Sequence, residues 1–560
     1  MLRYDLAVKR PEGTVVQPRK DVRYVFLNVG RTKNQKTKNY TFKRVNIGRM
    51  IDEENMYPND NYFLHFEDRE IIEEVCPEFS NAIKIGANAV INKVMSDLGI
   101  DEIITNIYED KSELIKDLIG YVIINESSVM QHYSDYAWEH SIKSDTISSD
   151  STISRLLTKD MQYYDNQLFL SAWSKIQNDG NKIYLNYDST NINTQATGVD
   201  LAEFGYAKDD DRLPQVNLAY ASKVNDATPL FYENYPGSII DNSQFRYMLD
   251  KANEFGYSNV DFILDRGYFS KGNLEYLKNM GCGYLMAIKQ NSELVKPIIK
   301  EYSISLKSMH KNFIEGHKLT GITKHTKLFK GDKTKSYIHV YYDALKAADA
   351  QTEFMINIGK LEEELQNKKE KSNILKEEDL LRYRKYFKLK FDDNGYFSSY
   401  KRNNIKIEED IVKYGFFVLV SSNELTATEA LDIYRERDSI EKLFRNLKTG
   451  MGYSSFKVHS GEAIEAKTHL VFMANIVRNS IFQKLKKVKG NDRKHYTVPA
   501  ALSQLEKIVA LKNHNDKYIR AYGVSDRQKK ILECFGIDNL YLNEMVISLN
   551  NKVVIQNKKS

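Results

Sequence analysis

Between Lys182 and Lys289 the order of β-type and helical segments restricts the fold more than any other feature of the chain. KIYLNYDST, LPQVNLAYAS and TPLFYENYPGS are three consecutive β-type runs. A helical stretch from about Asn242 to Phe255 follows, then VDFILDRGYF and, after a short helix, GYLMAIK. The runs are rich in Val, Ile, Leu, Tyr and Phe and are bounded by turn residues, the pattern of strands in a buried sheet. Asp188 is expected to end the first strand and Asp265 the fourth. In α/β sheets, functional groups gather at the carboxyl ends of strands.

Three strands, a helix and further strands is the order of an RNase H-like fold. The expected fold class is therefore an α/β core with an RNase H-like mixed sheet and flanking helices, interrupted by an inserted domain, with helical N-terminal and C-terminal regions. Residues 1–65 form a small β-rich element around the basic stretch Arg31 to Lys38, and residues 66–178 a helical DNA-binding domain. The core occupies 179–292 and 413–482, and 483–560 is helical again. The insertion at 293–412 carries its own strand KSYIHVYY, a Glu/Lys-rich helix near Leu361 to Arg384, and a hairpin turning at Asn394-Gly395. The chain re-enters the core with a strand from Phe416 to Ser421 and a helix opened by Thr426-Ala-Thr-Glu429, a capping-box pattern.

A chain of 560 residues has room for three or four domains. No apolar run reaches the roughly 18 residues of a membrane span, and MLRYDLAVKRPEGT lacks the apolar core of a secretory signal. Cys76, Cys282 and Cys534 are scattered without metal-ligand spacing. A cytoplasmic protein is expected. A net charge of +5 with 81 Lys+Arg and 37 Tyr offers many groups able to meet phosphates and bases, though AT-rich coding explains the same composition.

Phosphodiester chemistry needs an activated oxygen nucleophile and neutralisation of charge growing on the phosphate. Two divalent metals roughly 4 Å apart supply both and require converging carboxylates. Asp188, Asp265 and Glu441 meet that need. A strand-end Asp alone is equally a turn residue. On the post-insertion helix, Tyr434, Arg437, Glu441 and Lys448 stand at offsets of 3, 7 and 14 residues, within roughly 60° of one another around one helix axis. Ile440, Leu443, Phe444 and Leu447 occupy a neighbouring arc suited to packing on the sheet. Periodicity by itself also fits a plain amphipathic helix with solvated charges.

The spacing Tyr434-x2-Arg437-x3-Glu441-x6-Lys448 matches the Y-R-E-K signature of the insertion-sequence-four superfamily of bacterial DDE transposases. YDST at Tyr187 to Thr190 resembles the first catalytic segment of that branch, and FILDRGYFS at Phe262 to Ser270 its second. The resemblance implies that Asp188, Asp265 and Glu441 bind two Mg²⁺, with Mn²⁺ able to substitute. It also implies that Arg437, Lys448 and Tyr434 contact transposon-end DNA. Arg offers a planar fork to phosphate, Lys a mobile charge, and Tyr a hydroxyl donor. Arg266 beside Asp265, and Arg31, Lys33, Lys36 and Lys38 in the N-terminal loop, are further DNA-binding candidates. A structural ion pair for Arg266, and a solvated turn for the loop, are the plain readings. His469 in THLVFMAN reads as a core histidine with a catalytic alternative.

The implied activity is a transposase that binds the terminal inverted repeats of an insertion sequence, cleaves the ends through hairpins, and joins the 3′-hydroxyls to target double-stranded DNA. A homodimer in the synaptic complex and association with the bacterial nucleoid on DNA go with it. The rival readings are an RNase H-like nuclease or resolvase that cuts without joining, and a domesticated DNA-binding protein without chemistry.

Overall fold

The computed structural model describes residues 7–19, 22–33, 39–66, 79–178, 180–206, 212–290, 292–308, 311–332, 335–370, 375, 377–487, 496–513 and 517–556. The chain divides into two compact units, Met1–Glu78 and Phe79–Ser560. The first is a five-stranded sheet, closed in the middle by the long antiparallel pair Val22–Lys33 and Tyr40–Met50 around Val25, Ile47, Met50 and Met56. Its β-rich character agrees with the sequence. Lys36 and Lys38 lie outside the described residues.

The second unit is built on a nine-stranded mixed sheet. Its strands are β1 (Ile183–Asn193), β2 (Gln215–Lys223), β3 (Pro229–Pro236), β4 (Val260–Leu264), β5 (Gly283–Ile288), β6 (Phe313–Ile314), β7 (Leu319–Thr326), β8 (Ser336–Tyr342) and β9 (Phe416–Ser421). Their order across the sheet is β6-β7-β8-β9-β5-β4-β1-β2-β3. β1, β2 and β3 form an antiparallel meander. β4 lies parallel to β1, and β5 parallel to β4, because each is reached through a crossover helix. These helices are α1 (Asp241–Glu254) and α2 (Lys271–Asn279).

The first strand differs from expectation. β1 does not end at Asp188: it continues to Asn193, with Asp188 opposite Tyr220 of β2. What ends there is the neighbouring strand. β4 pairs Ile263 with Asn186, so the same register carried two residues on sets Asp265, just past the end of β4, beside Asp188.

The segment from 293 to 412 also divides. β6, β7 and β8 extend the core sheet, with β8 antiparallel to β9. A separate small core forms only around α3 (Ala344–Glu370) and the hairpin Phe387–Phe391/Phe397–Arg402, from Phe354, Ile358, Leu365, Phe387 and Phe397. That hairpin turns at Gly395, φ 81°, with Asp392 Oδ1 accepting from the Asn394 and Tyr396 amides. The region after 483 is not purely helical either: Val509–Lys512 pairs with Tyr518–Arg520 and with Ala82–Lys84 from the other end of the unit. Among the described residues, no helix is long and apolar enough to cross a membrane.

The return from the small core into β9 passes through Gly415, at φ 81°. A Cβ there would meet the Ala347 Cβ at 2.5 Å and the Asp343 carbonyl oxygen at 2.6 Å. Strain and crowding add, so Gly415→Ala is expected to destabilise this unit by about 2–3 kcal/mol, read as a lowered urea midpoint.

Candidate active site

After β9 the chain forms α4 (Ala427–Arg435) and α5 (Asp438–Arg445). The capping box is present: Thr426 Oγ1 accepts from the Glu429 amide at 3.2 Å, and Glu429 Oε2 accepts from the Thr426 amide at 2.8 Å. Ala430 and Leu431 pack against Ile263, Leu285 and Leu419 on one face of the sheet. Ile440, Leu443, Phe444 and Leu447 are buried, as the apolar arc requires, and Phe444 stacks on Tyr220 with ring centroids 5.7 Å apart. Tyr220 is the cross-strand neighbour of Asp188, so α5 lies over the face of the sheet that carries Asp188.

The helix expected to run unbroken from Tyr434 to Lys448 is interrupted twice. At 437–440 the bonds shorten to three-residue steps, with the Arg437 amide donating to the Tyr434 carbonyl at 3.1 Å and the Ile440 amide to the Arg437 carbonyl at 3.0 Å. From Asn446 to Gly450 the chain widens into a π turn that includes Lys448. A single stripe at 100° per residue does not survive these changes of pitch. Arg437 and Glu441 keep their one-turn spacing; Lys448, partly buried, sits on the π turn.

Arg437 is the centre of the site. Its Nη1 donates to Asp188 Oδ2 at 3.1 Å, and its Nη2 donates to Glu441 Oε1 at 3.0 Å. The same Nη2 is 4.0 Å from Asp265 Oδ1. One guanidinium thus touches three carboxylates delivered by β1, by the turn after β4, and by α5. Its side chain is 14% exposed, against 40% for Asp265 and 52% for Glu441, so the cation is buried and two of the acids still face solvent. Burial by itself pulls the Arg437 guanidinium down, yet Tyr434 and the three carboxylates outweigh it and hold its pKa above the ordinary arginine value. Burial pushes the Tyr434 phenol up to about 12, with Arg437 opposing that shift and Asp265 and Asp188 adding to it. Tyr434 stays neutral and able to donate throughout the physiological range.

Two of the carboxylates are also held by backbone. The Ser189 amide donates to Asp188 at 2.9 Å, and the Arg266 amide to Asp265 at 2.7 Å. Arg266 contributes that amide while its side chain is exposed. Arg31 and Lys33 belong to the first unit, where both approach the Tyr40 ring, at 5.0 Å and 5.9 Å from its centroid. His469 is fully buried, with Nδ1 3.2 Å from the Tyr232 hydroxyl and rings of Phe169 and Phe472 around it. Burial pushes it down to about 3, the condition of a neutral core histidine.

Sequence reasoning missed Asn186. It is buried on β1, two residues before Asp188 and on the same face, and donates through Nδ2 to Ser439 Oγ at 3.0 Å. That bond fixes the first turn of α5, and therefore Arg437 and Glu441, to the strand bearing Asp188. The available signal was a polar residue alternating with Asp188 in an otherwise apolar run. Asn186→Ala is expected to loosen the placement of Arg437 and Glu441 over β1 and to cost about 1 kcal/mol in stability from the missing bond, read as a lowered urea midpoint.

The donor set is hard oxygen from three carboxylates, the chemistry that magnesium or manganese prefers. Among the described residues no group of three His, Cys, Asp or Glu is gathered around a single point; the Arg437 guanidinium lies among these three instead. The residues suit a divalent ion in kind; to hold one they would have to close on the space that the Arg437 guanidinium now fills.

Residues 185–476, just over half of the chain, match the family model described as transposase DDE domain. No curated protein matches the sequence. Among solved structures the chain is similar to a cryo-EM structure of a piggyBac transposase synaptic complex with hairpin DNA, at 10% identity over 82% of this chain and 78% of that chain, with a TM-score of 0.33.

Proposed function

The chain belongs to the transposase DDE domain family, and from that premise we propose that it cuts DNA at the terminal inverted repeats of an insertion sequence and joins the freed 3′-hydroxyls to target DNA. The catalytic acids are Asp188, Asp265 and Glu441, held on an RNase H-like core. The observation that carries this reading is the convergence of the three carboxylates on Arg437. The strand order β3-β2-β1-β4-β5, an antiparallel meander continued by two parallel strands, supports the RNase H-like assignment.

The three acids would hold divalent metal, Mg²⁺ in the cell and Mn²⁺ as a substitute. Bound there, the metal supplies activation of the oxygen nucleophile and neutralisation of charge on the phosphate. Arg437, released from its carboxylates, presents two N–H donors to a phosphate of the transposon end. Tyr434 donates its hydroxyl to a terminal phosphate, and Lys448 adds a mobile charge beside it. The Y-R-E-K spacing supports membership of the insertion-sequence-four branch, and with it excision through hairpin ends and a homodimeric synaptic complex are proposed. The small core around α3, next to β9, is the segment assigned to hold the hairpinned end.

A labelled oligonucleotide carrying the end of the element, incubated with Mg²⁺ and a plasmid target, tests the proposal. The expected products are cut ends, hairpins, and label joined covalently to the plasmid, all abolished by EDTA. Cut ends without joined label would instead identify a nuclease.

A further inference from the structure

A cavity of about 630 Å³ lies in the second unit, away from the acidic cluster, between the turn at Val129–Gln131, the helical turns at Ile153–Thr158 and the segment Lys457–Lys467. The last of these is the start of α6 (Gly461–Lys487). Lys467, on the cavity wall, is buried at 1% exposure. Its ammonium donates to the Phe456 carbonyl oxygen at 2.7 Å, and among the described residues no carboxylate pairs with it. Buried ammonium groups almost always have a counter-charge, since desolvating one without it costs several kcal/mol. Burial pushes Lys467 down to about 8, and the one charged neighbour that adds to the shift is another cation, Lys457.

Further features of the cavity favour an anion. Lys457 and His459 are exposed at its rim. Ser460 opens α6, with its Oγ accepting from the Ala463 amide at 3.2 Å, and Ser460 and Ala463 both line the cavity. The first turn of a helix of 27 residues therefore faces the space with the positive end of its dipole. Asp150 is the acid on the lining, at the far wall. Lys457 is held at φ 51°, a conformation costly for a residue with a Cβ and tolerated where the surroundings fix it. Segments that lead into the lining are tied together: Ser128 Oγ, next to Val129, donates to the Gly452 carbonyl at 3.0 Å, and Arg478 Nη2 to Glu126 Oε1 at 2.8 Å.

Its position relates it to the acidic cluster. Ser455, two residues before Lys457, forms a bridge with Asn193, the last residue of β1. Asn193 is five residues along that strand from Asp188, about 17 Å at the rise of a β-strand, or about five base-pair steps of duplex.

We propose that this cavity is a second phosphate site, in which Lys467, Lys457 and the first turn of α6 take a backbone phosphate of the bound DNA away from the point of cleavage. The proposal rests on the transposase reading above. A phosphate supplies the counter-charge that Lys467 lacks and anchors the duplex at a fixed distance from the three acids.

Lys457→Asn, which keeps a residue tolerant of positive φ, and Lys467→Met, which keeps the side-chain volume, test it. Binding of a fluorescein-labelled duplex by the full chain in EDTA is followed by anisotropy across a range of KCl. Each variant is expected to lower the slope of log affinity against log salt by about 1 and to weaken binding about fivefold. Thermal melting verifies that each is folded, and the exposed Lys457 carries the test if Lys467→Met does not fold. Unchanged slopes in a folded variant overturn this site alone. Protection of the wild type by inorganic phosphate, lost in the variants while duplex slopes stay unchanged, assigns the cavity to free phosphate and overturns DNA as its occupant. Failure of the wild type to bind any duplex overturns this site and the transposase reading together.

Discussion

Asp188→Asn is expected to abolish both strand cleavage and strand transfer, lowering the cleavage rate by about 10³-fold or more, near 4 kcal/mol of barrier. Asparagine offers one neutral oxygen where Asp188 offers two charged ones, so a divalent ion is held more weakly and the charge developing on the phosphate is less well offset. The fold should survive. Arg437 keeps Glu441 at 3.0 Å and Asp265 at 4.0 Å, and the Ser189 amide finds an acceptor in the new side-chain oxygen. Duplex binding should be unchanged or slightly tighter, since a negative charge has gone from the surface proposed to face DNA. The control is Asp438→Asn on the same helix, where an exposed acid forms its ion pair with the exposed Lys442 at 2.8 Å; its activity is expected to stay within about twofold, as surface pairs contribute little. Quantified gel assays on end oligonucleotides measure both. An active Asp188→Asn protein would remove Asp188 from the chemistry.

Arg437→Ala produces the second large effect, and it has two parts. Without metal, the three carboxylates lose the cation they share. Asp265 and Glu441 are partly solvated, so the penalty is smaller than for a fully buried pair, and the apparent melting temperature is expected to fall by about 2–4 °C. Added Mg²⁺ should recover more stability in Arg437→Ala than in the wild type, because the ion no longer competes with a guanidinium for the same oxygens. Cleavage is nonetheless expected to fall about 10²-fold, since the fork proposed to meet phosphate is missing. Melting curves with and without Mg²⁺ separate these parts: a variant that gains no more from the ion than the wild type does would show that Arg437 and metal occupy different places.

Local pattern carried much of the fold. The runs of the core became strands, the Asn394-Gly395 turn became a hairpin, Thr426 and Glu429 capped their helix, and Ile440, Leu443, Phe444 and Leu447 went inward. Each of these depends on neighbours within a few residues. What escaped depends on partners far along the chain. β1 continues past Asp188 because β2 keeps pairing with it to Asn193, which nothing in YDSTNIN reveals. The strands at 313–342 join the core sheet through β9, which begins more than seventy residues after β8 ends, so they read in isolation as part of an insertion. The break between α4 and α5 falls in RERDS, without Gly or Pro; in the structure it accompanies the Asn186–Ser439 bond and the passage from packing on Ile263 of β4 to packing on Tyr220 of β2, on the same face of the sheet.

The site shows the same division. Glu441 and Arg437 are one helical turn apart and were legible as a pair. Asp188 and Asp265 come together through the parallel register of β1 and β4, which no local spacing records, and the signature resemblance supplied that pairing instead. The role of Arg437 as the shared partner of all three acids was not legible, because it requires their three-dimensional convergence.

Asp188, Asp265 and Glu441 are proposed as one metal-binding centre for DNA chemistry. Crystals of the protein grown with Mn²⁺ and DNA, measured at the manganese absorption edge, test it most directly. Anomalous density is expected between these three carboxylates, with the Arg437 guanidinium displaced from among them toward a phosphate. Manganese bound elsewhere, with Arg437 still joined to all three acids in a complex competent for cleavage, would contradict it.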